Sequence, residues 1–342
     1  MTALKFILKC AAILLLTVLF IASAAWGTLA VHYSDLGNSA MGTVLAGSFA
    51  LLSLAVLVGF FLRHWRWRAL GAYAVAFAIL LAWWGSIAPS NDRNWKPEVA
   101  RLPSVSLEGD QVAVRNIRYF DYRTETDFTP AWYDKTFDLG KLESVDLIAV
   151  YWGSPAIAHM MVSFNFRTND YLAVSIERRD ELGESYSTVK GLFKQYELFY
   201  VVADERDVIR LRTNVRNDPP EDVYVYRVKA PIENGRRLFV EYMNKVNALT
   251  TQPEFYNTVA TNCTGNIWLH SQVNPKSVPY SWKILLSGYV PEYLYEHDRL
   301  DTTLPFPELQ RRSRVNVAAQ AADRVADFSR RIRVGLPGTT SP

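Results

Sequence analysis

The chain has 342 residues, 37 Lys and Arg against 34 Asp and Glu, and 49% apolar residues. Its net charge of +3 does not describe one basic surface. Residues 1–90 hold five Lys or Arg and one acidic residue, which leaves 32 basic and 33 acidic residues beyond them. A near-neutral remainder lacks the broad basic footprint of a nucleic-acid binder, so nucleic acid is set aside as a partner.

The apolar residues are concentrated at the front. Phe6 to Ala30, Met41 to Leu62 and Ala69 to Ile87 are apolar runs, uncharged but for Lys9 at the start of the first, each near the ~20 residues that span a bilayer as a helix. Lys5 and Lys9 stand at the front of the first run, the loop from Val31 to Ala40 has no Lys or Arg, and the turn RHWRWR (Arg63 to Arg68) carries three Arg. Basic residues near spans stay cytoplasmic. The amino terminus and the Arg turn are therefore expected inside, and everything after Ile87 outside. Trp83, Trp84 and Trp95 fit an aromatic belt at the outer exit. A cleaved signal peptide over residues 1–25 is the competing reading, because Lys5, Lys9 and IASAA resemble one; it leaves the same domain outside.

Residues 1–90 are thus expected to form a three-helix anchor, 91–104 a linker marked by PSNDRNWKPE, and 105–342 a periplasmic domain. VSLEGDQVAVRNIRYFDY predicts two strands turning at Glu108 to Asp110. VDLIAVYW, HMMVSFNF, YLAVSIE, LFYVVADERDVIRLRT and DVYVYRVKA have strand length and β-branched or aromatic enrichment. After Pro231 the period becomes helical, with Leu238, Tyr242, Val246 and Leu249 on one stripe, and Pro253 in QPEFYNTVA suits a first helical turn. Pro307 to Leu336 reads as a partly helical surface segment, Ala318, Ala322, Val325 and Ile332 inward and the arginines outward, with a helix lying on lipid as the alternative. Strands first and long helices afterwards give an α+β domain.

The chain has two cysteines. Cys10, at the start of the first apolar run, reads as lipid-facing filler and lies across the membrane from Cys263, so no disulfide joins them. An unpaired thiol in an oxidising compartment is inert and buried, pairs with another chain, or does chemistry. Thr261 and Asn262 are good caps, and TGNIWLHSQV continues as a helix, which sets Cys263 near a helix amino terminus, where the dipole favours thiolate. An inert buried cysteine is the alternative.

A cysteine nucleophile needs a base, usually His, oriented by a third polar group. His32 and His64 belong to the anchor, and His297 sits in a polar stretch. His270 follows Cys263 by seven residues, about 10 Å along a helix. His159 remains. In AHMMVSFNF, period two separates it, with Met161, Ser163 and Asn165, from the apolar Met160, Val162, Phe164 and Phe166. In the next strand Ser175 and Glu177 face away from Leu172, Val174 and Ile176, so either is a candidate to orient the imidazole. The bland readings are a partly exposed strand histidine and a Glu177 salt bridge to Arg178 or Arg179.

The order of a His strand, a polar strand and NC at a helix start resembles circularly permuted papain-like thiol enzymes, the group of NlpC-like cell-wall peptidases and the lecithin:retinol acyltransferase family. AHMMVSFNF, SIERRDELGESYS, YELFYVVADERDVIRLRTN, EFYNTVATNCTGNI and FSRRIRVGLPG together resemble more closely the Lnb N-terminal periplasmic domain family, over roughly Asp110 to Gly338. That family takes its name from a Bacteroides enzyme that N-acylates lipoproteins, and the three spans are a departure from the named member. The resemblance implies a permuted papain-like domain with an antiparallel sheet packed on helices, Cys263 as nucleophile and His159 as base. It implies a bacterial inner-membrane protein with a periplasmic domain, phospholipid and lipoprotein substrates, and ping-pong acyl transfer through a thioester. No cofactor is expected, and no zinc, since His and Cys lack ligand spacing. A cell-envelope peptidase or amidase, and a non-catalytic membrane scaffold, are the alternatives. RYFDYRTETDF and ADERDVIRLR read as solvated, ion-paired faces, with Arg118 or Arg206 as candidate contacts to a phosphate headgroup.

Overall fold

The computed structural model describes residues 2–34, 40–62, 64–167 and 169–339. The expected outer loop at 35–39, with Asp35, and Arg63 of the expected cytoplasmic turn lie outside the described residues. The chain divides into two compact units, residues 1–89 with 186–196, and residues 90–185 with 197–342.

The first unit is built on α1 (Thr2–His32), α2 (Ala40–Phe61) and α3 (Arg66–Ser86), each long and apolar enough to cross a membrane. Their outward side chains are Leu, Ile and Val, as on helices that face lipid rather than water. Contact among the three is made by small residues and aromatics. A Cβ on Gly27 would come within 2.6 Å of the Phe49 ring and 2.7 Å of Leu80, so only glycine allows this approach. Ser23 and Tyr73 share a 2.8 Å hydrogen bond between α1 and α3.

The second unit contains an eight-stranded sheet. Its strands are β1 (Ser104–Glu108), β2 (Gln111–Arg118), β5 (Trp132–Asp138), β6 (Leu142–Tyr151), β7 (Ala158–Phe166), β8 (Asp170–Arg179), β9 (Glu197–Ala203) and β10 (Asp222–Arg227). A separate ribbon pairs β3 (Asp121–Tyr122) with β4 (Phe128–Thr129). The order is β1-β2-β9-β8-β7-β6-β10, with β5 also on β2. All pairings are antiparallel except the single bridge between Arg118 and Ala203.

Helices cover both sides of this sheet, which is why β6 to β9 read as almost continuous apolar runs. They are α4 (Glu205–Arg210), α5 (Ile232–Thr251), α6 (Cys263–Ser271), α7 (Trp282–Leu285), α8 (Val290–Glu296), α9 (Phe306–Ser313), α10 (Asn316–Ala321) and α11 (Phe328–Arg331). On one face Val162, Phe164, Val174, Ile176 and Tyr200 pack with Phe239, Tyr242, Met243, Val246 and Leu249 of α5. On the other, Met161, Ala173, Phe199 and Val201 pack with Val208 and Ile209 of α4 and with Ala319, Phe328 and Ile332. This is the expected α+β class.

Several stretches depart from their local pattern. LFYVVADERDVIRLRT is a strand only to Ala203. The Asp204 carboxylate then accepts from the Arg206 amide at 2.9 Å and starts α4, which runs into a π-helical turn at Leu211–Val215. QPEFYNTVA is not helical. The Leu198 amide donates to the Glu254 carbonyl at 2.7 Å, and Asn257 Oδ1 accepts from the amides of Val259 and Ala260, which holds the backbone in a turn.

The stretch 91–104, read as a linker, is docked on the sheet. Arg93 pairs with Glu181 and Glu197, and Arg179 donates to the carbonyls of Val99 and Ala100. Trp95 consequently leaves the expected aromatic belt and stacks over the Arg179 guanidinium, 4.2 Å from ring centroid to carbon. The carboxyl-terminal segment is three short helices rather than one surface helix. Of the two charged stretches, 118–128 is largely solvated and carries the exposed Arg123–Asp127 pair, as expected, except for Arg118, Phe120 and Tyr122, whereas 203–212 is mostly buried. Asp207 and Glu205 are fully buried, and Arg118 grips Asp207 through two hydrogen bonds of 2.7 and 3.0 Å. Arg206 donates to the carbonyls of Asp323 and Val325. With both guanidiniums taken, neither offers the expected headgroup contact.

Candidate active site

Cys263 is the first residue of α6. Asn262 caps the helix by accepting from the Gly265 amide at 2.7 Å, and its own amide group donates to the Thr258 carbonyl at 2.8 Å. A Cβ on Gly265 would stand 3.2 Å from the cap oxygen, so a small residue two positions after the thiol keeps the cap seated. The sulfur is half-buried, lies 3.6 Å from Thr264 Oγ1, and packs against the α5 face of the core. Asn262→Ala is expected to cost about 1 kcal/mol, the usual worth of an N-cap. Faster amide exchange confined to Cys263–Ser271 is the expected readout, and unchanged exchange there would show that the cap is dispensable.

Beside the thiol helix lies an apolar cavity of about 280 Å³, close to the lower end of ligand pockets, about 300 Å³. Thr264, Ile267 and Trp268 of α6 form one wall. Leu147, Met160 and Val162 of the sheet, Ile232 and Leu238 of α5, and Ile284 and Val290 supply the rest. Arg227, Lys276 and Arg299 are its cations.

On the same side of the sheet His270 is buried, its Nε2 2.6 Å from the Tyr200 hydroxyl and its Nδ1 3.5 Å from a Glu241 oxygen. Burial lowers its pKa against the pull of Glu241, which leaves the ring neutral near pH 7. Its ring lies 4.6 Å from that of Tyr242, a fully buried residue whose hydroxyl has no hydrogen-bond partner among the described residues. Burial, the neighbouring Tyr200 and Cys263 hold the Tyr242 phenol well above its ordinary pKa, so it remains a proton donor.

His159, Ser175 and Glu177 do come together. Nε2 of His159 is 2.7 Å from Ser175 Oγ, which donates to Glu177 Oε1 at 2.7 Å; the ring nitrogen is 3.6 Å from that oxygen. Arg212, carried on the π-helical turn, stands 3.7 Å from Glu177 and pairs with Glu221 at 3.3 Å. Burial, reinforced by Arg212, pushes the His159 pKa down to about 3, so the imidazole is neutral. Burial opposes the charge on Glu177. His159, Arg212 and Arg118 oppose that and hold its pKa at about 2.

The structure does not bring His159 to Cys263. His159 shares the parity of Met161 and bonds to Ser175, Met161's cross-strand partner, on the α4 face. Cys263 packs on the face of Val162, Phe164, Val174 and Ile176. Ring and sulfur are therefore on opposite sides of one sheet, and the expected nucleophile–base contact is corrected to two separate centres. Period-two alternation placed the ring on its face correctly. What it did not carry was the face on which α6 packs. Tyr242 was legible only as part of an apolar stripe, and Arg212 was hidden by its reading as a strand residue.

Residues 128–288 match the Lnb N-terminal periplasmic domain family, a span that includes both centres. The C-terminal domain is thus similar to that family over this span. No curated protein and no solved structure matches the chain. The Lnb domain here follows three helices fit to span a membrane, as in a membrane protein with a periplasmic domain. Among its described residues no group of three or more His, Cys, Asp or Glu could hold a metal ion.

Proposed function

We propose that the chain is a multi-pass protein of the bacterial inner membrane whose Lnb domain is a cysteine-dependent acyltransferase. It takes an acyl chain from a phospholipid ester onto Cys263 and passes it to an amine, the α-amino group of a lipoprotein's terminal cysteine. The observation that carries this reading is the apolar cavity walled by the helix that begins with Cys263. Its lining suits hydrocarbon better than a peptide, because unpaired polar groups entering it would lose their hydration. That favours acyl transfer over cell-wall peptidase or amidase chemistry.

In the first step the sulfur bonds to the ester carbonyl, the C–O bond breaks, and the lysophospholipid alcohol leaves with a proton. In the second the amine bonds to the thioester carbon and the thiol is restored. The free amides at the start of α6 supply donors for the oxyanion of each step. Tyr242 and His270 are the protic groups on the sulfur's own side. His159 and Glu177 stand in this reading as a structural centre of the opposite face. Anchoring the domain by its spans raises the local concentration of two lipid-borne substrates without further contacts.

The test uses the full chain in phospholipid vesicles with a lipopeptide acceptor. Mass spectrometry is expected to show a hydroxylamine-labile acyl adduct on Cys263 and N-acylated acceptor, both lost in Cys263→Ala. Transfer surviving in Cys263→Ala would sink the proposal. An adduct that is released only to water would move the assignment to a hydrolase.

A further inference from the structure

Residues 186–196, between β8 and β9, group with the three long helices. Phe193 stacks on Tyr33 with ring centroids 5.7 Å apart and meets Trp84 edge-on at 6.4 Å. Lys194 Nζ donates to the carbonyls of Trp84 at 2.8 Å and Ile87 at 3.1 Å, and lies 5.2 Å from the Trp84 ring centroid. Those carbonyls end α3, where backbone acceptors lack intrahelical partners and a lysine is a favourable cap. The segment is thereby held at the Trp83–Trp84 end of the helices, the level at which amphipathic rings mark the boundary of the hydrocarbon.

At that level its side chains divide. Gly191, Phe193 and Tyr196 are buried, whereas Tyr186, Val189 and Leu192 are 60%, 43% and 38% exposed. The single 3₁₀ turn Lys190–Leu192 sits between them. Exposed apolar side chains on a segment docked at the ends of helices long and apolar enough to span a membrane, beside a lysine, are the composition of an interfacial element.

We propose that residues 186–196 lie in the bilayer interface, with Tyr186, Val189 and Leu192 at the boundary of headgroups and acyl chains and Lys190 at the lipid phosphates. The occupant of this surface is lipid. It is independent of the acyltransferase reading, since it rests on the helix ends alone.

The experiment uses the full chain in phosphatidylglycerol-containing vesicles, with Cys10→Ser and Cys263→Ser as background and a nitroxide on Val189→Cys or Leu192→Cys. Collisional broadening is expected to be stronger with oxygen than with a water-soluble nickel chelate at both positions. Stronger broadening by nickel would overturn the proposal. Protection from both reagents, the mark of a protein partner covering the segment, would overturn it as well. A second measurement needs no substitution. A diazirine-bearing phospholipid photolysed with the unmodified chain is expected to label peptides from 186–196 along with the spans, and labelling of the spans without this segment would refute the assignment.

Discussion

Arg333→Met is expected to cost the C-terminal domain about 3–5 kcal/mol, the penalty for leaving buried charges without their partner. Arg333 donates to Asp146 at 2.7 Å and to both oxygens of Glu205 at 2.7 and 2.5 Å. Asp146 and Glu205 are essentially inaccessible, and Arg333 is only 7% exposed. Arg227 and Asn165 also hold Asp146, whereas among the described residues the Glu205 carboxylate is held by Arg333 and the Ser163 hydroxyl. Methionine fills the volume without the charge, so Glu205 must take up a proton or open the α4 face to water. Arg331, two residues earlier and largely exposed, pairs with Asp327; its substitution by methionine is expected to stay within about 0.5 kcal/mol. Urea unfolding of the two variants side by side decides it. Equal midpoints would mean that the buried network does not hold the carboxyl terminus to the sheet.

That network shows where the sequence was readable and where it was not. Hydrophobic length marked three spans, and alternation marked β6 to β9, because both signals are local and repeat over many residues. The N-cap at Asn262 was equally local, and the helix begins where the cap predicts. Arg333, Glu205, Asp207 and Arg118 look like surface residues to any local rule, since charged side chains are almost never buried unless paired. Their partners are 89 to 187 positions away in the chain, or are supplied by a short helix that starts inside an apparent strand. The Cys263 centre failed in the same manner. Each residue was identifiable by type and local setting, but which side of the sheet α6 covers depends on how the irregular stretch 253–261 is routed, and turn chemistry at Asn257 settles that.

The other large effect is acid destabilisation through His159. The folded ring has a pKa near 3, against an ordinary value of 6.5, because burial and Arg212 disfavour its charged form. A lowered folded pKa means that the unfolded chain binds the proton more readily, so stability falls as pH drops below about 6.5 and goes on falling until the folded ring also titrates near 3. From pH 7 to pH 5 this one group is expected to remove about 2 kcal/mol. Glu177 does not offset the loss: its folded pKa of about 2 lies below that of the unfolded carboxyl, so its contribution is intact at pH 5 and disappears only as pH falls further. The groups facing the ring are Ser175 and Glu177 of β8 and, from the helical turn and beyond, Arg212 and Arg216. His159→Gln keeps a hydrogen-bonding side chain and cannot titrate. Between pH 7 and pH 5 its unfolding free energy is therefore expected to fall by about 2 kcal/mol less than that of the unsubstituted chain, the part that remains coming from other groups such as the buried His270. Thiol labelling of Cys263 at pH 7 is expected to proceed at the same rate in both, since the ring and the sulfur lie on opposite faces. A variant that labels far more slowly would mean that the two centres communicate through the sheet after all, and would return His159 to the chemistry of the thiol.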